Sequence, residues 1–83
     1  MNTWIEFVDG GTSRSGKTGI WYVQNKDTGA VLGMVHWFGR WRRYVFAPAP
    51  NTVYEEDCLR DIAGFCERKT TRQRDAVKAE VRT

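Results

Sequence analysis

The sequence predicts an α+β domain: a three-stranded antiparallel β-meander, with a further short N-terminal strand, packed on one C-terminal α-helix. Three observations carry this. β-Branched and aromatic residues concentrate before Pro50, in runs joined by very short turns that contain glycine. The hydrophobic period then changes: Cys58, Leu59, Ile62, Phe65 and Cys66 form a helical stripe. Eighty-three residues, 41% apolar and 28% charged, are enough for one small folded domain.

Residues 3–8, rich in Trp, Ile, Phe and Val, predict the short N-terminal strand. Residues 9–19 hold four Gly, two Ser and two Thr and predict a flexible loop. Residues 20–25 are strand-like, and Lys26-Asp27-Thr28-Gly29 supplies a tight turn with Gly29 placed for the positive φ of a bulged hairpin. Residues 30–38 continue as a strand, and Gly39-Arg40 fits a two-residue turn with Gly first. Residues 41–47 form the third strand of the meander, ended by Pro48 and Pro50, which have no N–H for a ladder. The helix is expected over residues 55–69, with Glu55, Glu56 and Asp57 at the positive end of its dipole and Arg68 and Lys69 at the negative end. The chain thus divides into an N-terminal strand and loop (1–19), a β-β-β-α domain (20–69) and a polar, frayed extension (70–83).

Strand alternation sorts the meander into two sets. Trp21, Val23, Val31, Val35 and Trp37 point one way; Ile20, Tyr22, Leu32, Met34 and His36 point the other. Neither set is polar, and one helix covers one face. The other face is expected to meet the N-terminal strand, the C-terminal segment, a second subunit or a partner. The register of the third strand, which decides the side of Tyr44 and Phe46, is open at this level.

The net charge is +3, with a pI near 9.1. All of the excess lies in residues 1–50; residues 51–83 carry seven groups of each sign. The densest stretch is Trp37-Phe38-Gly39-Arg40-Trp41-Arg42-Arg43-Tyr44. Arginines pair with phosphates and read guanine edges, and aromatic faces stack on bases. The plainer alternative packs Trp37, Trp41 and Tyr44 partly into the core and leaves the arginines solvated or stacked on Trp.

Gly11-Thr12-Ser13-Arg14-Ser15-Gly16-Lys17-Thr18 matches the G-x-x-x-x-G-K-[ST] phosphate loop in letters. That loop works by opening a helix whose N–H groups hold phosphates. Here the strand-like Gly19-Ile20-Trp21-Tyr22-Val23 follows, so no nucleotide pocket is expected. Arg14 and Lys17 remain candidates for loose phosphate contact. His36 has no partner at metal-ligand or triad spacing, so no metal, cofactor or catalytic set is expected, and the chain reads as a non-enzyme. Cys58 and Cys66, about 12 Å apart along a helix, read as small core residues rather than a disulfide. Glu55, Glu56, Asp57 and Asp61 form an acidic patch that complements the dipole. No apolar run reaches the ~20 residues of a membrane span, residues 1–9 lack signal-peptide character, and two cysteines make no disulfide scaffold. A bacterial-type cytoplasm is the expected location.

The pattern over residues 16–65 resembles a family of small phage and prophage proteins with no assigned activity. The resemblance rests on Gly16, Lys17, Thr18, Ile20 and Trp21; on Leu32, Gly33, Val35 and Trp37; on Trp41, Arg42, Tyr44, Phe46 and Pro48; and on Thr52, Cys58, Leu59, Ile62 and Phe65. Ala47 departs from it, standing where a bulkier residue is expected. The resemblance implies a setting, a bacterial cell under phage infection or lysogeny, and no reaction.

The function expected from the sequence is a phage-type binding module for nucleic acid. Arg40, Arg42 and Arg43 would neutralise phosphates or read bases, Trp37, Phe38 and Trp41 would stack, and Arg14 and Lys17 would assist. The alternatives are a protein-binding inhibitor of a host defence or host enzyme, of anti-CRISPR kind, and a homodimer formed through the uncovered sheet face.

Overall fold

The computed structural model describes the backbone of residues 4–82 and the side chains of 4–78. Residue 3, where the first strand is expected to begin, and residue 83 of the extension lie outside them. The elements are β1 (Ile5–Thr12), β2 (Gly19–Asn25), β3 (Val31–Phe38), β4 (Arg43–Pro48) and α1 (Glu56–Arg82). The strands form one antiparallel sheet in the order β1-β2-β3-β4, with the helix on one face.

The N-terminal strand is a full member of the sheet. It pairs with β2 from Ile5↔Asn25 to Thr12↔Gly19, across an irregularity between Asp9 and Thr12. In that irregularity the Gly11 N–H donates to Asp9 Oδ1 at 2.8 Å. The strand therefore runs into the glycine-rich segment, and only residues 13–18 remain as loop. The β2–β3 turn matches expectation: the Asp27 and Thr28 N–H groups donate to Asn25 Oδ1, and Gly29 has φ 76°.

The helix does not stop near Lys69 but continues to Arg82. Thr70-Thr71 interrupts the apolar stripe, yet Thr70 Oγ1 accepts the Tyr44 N–H of β4 at 2.9 Å, so the threonine ties the helix to the sheet. Beyond it Gln, Arg, Lys and Ala predominate, all good helix formers. At the other end Glu55 caps the helix, its Oε1 accepting the Cys58 N–H.

The core is Ile5, Val23, Val35, Tyr44, Cys58, Ile62 and Phe65. Phe65 stacks on Phe7 of β1 (centroids 4.0 Å apart) and meets Trp21 of β2 edge-on. Leu59, placed on the stripe by its spacing, is 51% exposed and belongs to the outer side of the helix. The β3–β4 register, Val35↔Phe46 and Trp37↔Tyr44, puts Tyr44 and Phe46 with Trp21, Val23 and Val35 on the helix face. A bulge opposite Val23 and Gln24 exchanges two assignments: Val31 is exposed, while Leu32 packs against the core. One extra residue in a strand reverses the alternation beyond it.

The opposite face has no described element packed over it. Its central row is Val8, Tyr22, Met34 and Ala47, paired in sequence from β1 to β4. His36 pairs with Val45, and Phe38 with Arg43, nearer the β3–β4 loop.

Candidate nucleic-acid interface

The connection between β3 and β4 is a four-residue loop, 39–42, rather than the two-residue Gly39-Arg40 turn. The Phe38 carbonyl accepts the N–H groups of both Trp41 (3.1 Å) and Arg42 (2.9 Å), a helix-like turn. Arg42 then closes it in the left-handed region at φ 57°. A two-residue turn at Gly39-Arg40 would pair Phe38 with Trp41; the observed partner is Arg43, and Phe38 instead meets the Trp41 ring edge-on at 4.7 Å. Trp41 itself is 61% exposed, so it is a surface aromatic and not core.

Trp37 does not join this surface. It lies half-buried on the helix face, edge-on to Tyr44 at 5.2 Å. The stretch that reads as one cluster in sequence is thus divided by strand alternation. Phe38, Trp41 and the exposed Arg40, Arg42 and Arg43 are presented outward, while Trp37 and Tyr44 pack inward.

Arg14 and Lys17 are exposed on the 13–18 loop. In an antiparallel meander the first and third connections fall at the same end of the sheet, so this loop and the arginine loop are neighbours at one end. A hydrogen bond from the Gly19 N–H to the Tyr44 hydroxyl (3.0 Å) ties the start of β2 to the start of β4. The phosphate-loop letters sit between two antiparallel strands and open no helix.

The helix brings a second set of cations to the same end. Arg74 donates from Nε and Nη2 to the Arg42 carbonyl, at 3.0 and 2.7 Å, a two-pronged contact that holds the loop against the helix. Arg43, Tyr44, Thr70 and Arg74 line a cleft between β4 and the helix. Lys69 Nζ lies 4.7 Å from the Trp21 ring centroid and closes the core at this point. Across residues 13–18, 39–43 and 67–78 stand ten Lys or Arg and only two carboxylates, Glu67 and Asp75. Among the described residues no carboxylate pairs with Arg14, Lys17, Arg40, Arg42 or Arg43. The acidic residues Glu55, Glu56, Asp57 and Asp61 sit at the far end of the helix, where Arg60 pairs with Asp57 (2.9 Å) and Glu56 (3.8 Å).

Sequence reasoning missed the helix cations because residues 51–83 sum to zero charge. The available signal is their order: four acids precede five bases along residues 55–78, apart from Arg60, Glu67 and Asp75. On a single long helix that order becomes a separation in space.

The remaining titratable side chains make local contacts. His36 Nδ1 is 3.2 Å from the Trp37 carbonyl, which fixes Nδ1 as the donor when the bond is made. Burial pushes the Cys58 thiol up to about 11, assisted by its hydrogen bond to and the charge of Glu55. Burial also raises Cys66, with Glu67 adding to it. Both thiols are free, and both shifts favour the protonated form. Among the described residues no group of three or more His, Cys, Asp or Glu is placed to hold a metal, and no helix is long and apolar enough to cross a membrane.

Fold and surface together define a class, a small α+β domain with one open sheet face and a cationic end. No protein-family model matches the chain, and no solved structure matches it. It is similar to an uncharacterised 9.3 kDa protein of Acholeplasma phage L2, 37% identical over 43 residues. The match covers 52% of this chain and 55% of that protein, so the chain spans about half the length of the relative it matches. This agrees with the resemblance to small phage proteins without an assigned activity.

Proposed function

We propose that this chain is a non-enzymatic, phage-type binding module that contacts nucleic acid through the cationic end of its sheet, in the cytoplasm of a bacterial host. The observation that carries the reading is the convergence there of two loops and the second half of the helix, with nine cations against two carboxylates once Arg68, which folds back over Gly64 beside Asp61, is set aside. Unpaired cations clustered on one end of a small protein repel one another and favour a polyanion. Arg42 adds to this: an arginine kept in a left-handed conformation is a locally unfavourable choice that a bound phosphate rationalises.

The test is an electrophoretic shift at low salt with the wild type and with Arg40→Ala, Arg42→Ala and Arg43→Ala combined. The shift is expected to be lost in the variant while its circular dichroism and melting stay those of a folded domain. A wild type that retards neither DNA nor RNA at low salt refutes the reading.

The exposure of Trp41 between arginines supports a second reading, docking on a host protein, because Trp and Arg dominate protein hot spots. A stoichiometric host protein retained from nuclease-treated lysate, and released by Trp41→Ala, would favour it.

A further inference from the structure

We infer that the nucleic acid is single-stranded and that its bases stack on the open face of the sheet, on Tyr22 and His36, on the way to Phe38 and Trp41; this rests on the nucleic-acid reading above. The face is aromatic where it approaches the cationic end. His36 and Phe38 are successive outward residues of β3, about 6.8 Å apart for a two-residue step. Phe38 pairs with Arg43 and carries the Trp41 ring against its own, so the aromatic line runs directly into the arginine loop. Tyr22, 38% exposed, pairs with Met34 and turns its ring toward Gly10 of β1, so it offers a second stacking platform beside this line.

The ring of Tyr22 is held in place by its neighbour. A Cβ built on Gly10 would stand 2.6 Å from Tyr22 Cε2, so the tyrosine lies across β1 at a position open only because residue 10 is glycine. His36 has Nδ1 committed to the Trp37 carbonyl, which leaves Nε2 as the ring nitrogen available to a base edge.

Charge decides between a single strand and a duplex. A duplex presents phosphates on its outside, with its bases stacked away, and would need cations across the middle of the face. The row Val8, Tyr22, Met34 and Ala47 has none, and neither has the next row away from the arginine loop, where Glu6 pairs with Gln24. A single strand instead splays its bases onto aromatic rings while its phosphates follow a basic rim.

The experiment compares fluorescence anisotropy of labelled oligo(dT) and oligo(U), about twelve nucleotides long, with a duplex of equal length. Wild type, Tyr22→Ala and Gly10→Val are used. Photocrosslinking of thio-substituted oligonucleotide to the wild type, mapped by mass spectrometry, provides a readout that does not depend on a variant folding. The expected result is tighter binding of single strands than duplex, crosslinks at Tyr22 or His36, and roughly tenfold weaker binding for each variant. Single strands and duplex bound alike, with crosslinks confined to residues 13–18 and 39–43, overturn the inference and leave the cationic end as the site. A wild-type dimer in light scattering that Tyr22→Arg dissociates also overturns it, because a second copy then occupies the face. No binding of any oligonucleotide removes the underlying reading itself.

Discussion

Arg42 closes the β3–β4 loop at φ 57° and gives its carbonyl to Arg74. A left-handed backbone costs a non-glycine residue roughly 1–2 kcal/mol, so Arg42→Gly is predicted to stabilise the fold by about 0.5–1 kcal/mol after the extra unfolded-state entropy of glycine. Thermal melting should rise by a few degrees while affinity for nucleic acid falls. A variant that melts higher and binds as well as wild type would show that the side chain is not what the strained conformation serves. Cys58 gives a second residue-level prediction. Its pKa is raised from 9.0 to about 11, so between those values the folded chain holds a proton that the unfolded chain has released. Its contribution is intact below pH 9 and is lost as pH rises toward 11. The stability advantage of wild type over Cys58→Ala, measured by urea unfolding, is predicted to shrink across that window; a difference that stays constant with pH would contradict the assignment.

At the scale of elements, the second half of the helix acts as a strut behind the arginine loop. Thr70→Val keeps the shape but leaves the Tyr44 N–H of β4 without its partner, and is predicted to cost about 1–2 kcal/mol. Arg74→Ala removes two charge-assisted bonds to an exposed carbonyl. It should speed amide hydrogen exchange at Trp41 and Arg42 with little change in melting temperature. Equal exchange in both proteins would show that the loop holds its shape unaided. These elements were unequally legible. The β2–β3 hairpin could be read from its turn because Asn25, Thr28 and Gly29 dictate local hydrogen bonds and a positive φ. The length of β1 could not, because residues 9–12 become strand only through pairing with β2. Nor could the helix end, because Thr70 breaks the apolar period while making a contact across 26 positions of chain.

At the scale of the molecule, the fold sorts charge that the sequence keeps mixed. The helix is 27 residues long, about 40 Å, against about 27 Å for the longest strands. It starts beside its own acids and carries its bases past the loop end of the sheet. The loop arginines were legible from their density. The contribution of Arg74 and its neighbours was not, since it depends on where a long helix runs. The burial of Trp37 was legible as the plainer alternative, since alternation along β3 groups it with Val35; the side taken by Tyr44 was not, since it depends on register.

The account stands on phosphates meeting this end of the molecule, and the salt dependence of binding measures that directly. The logarithm of the association constant should fall steeply with the logarithm of salt concentration. Each phosphate contact contributes about 0.7 to the slope for single strands and about 0.9 for duplex. Removing Arg40, Arg42 and Arg43 together is predicted to flatten the slope by about two units. A wild-type affinity indifferent to salt, or a slope unchanged in the triple variant, would contradict it.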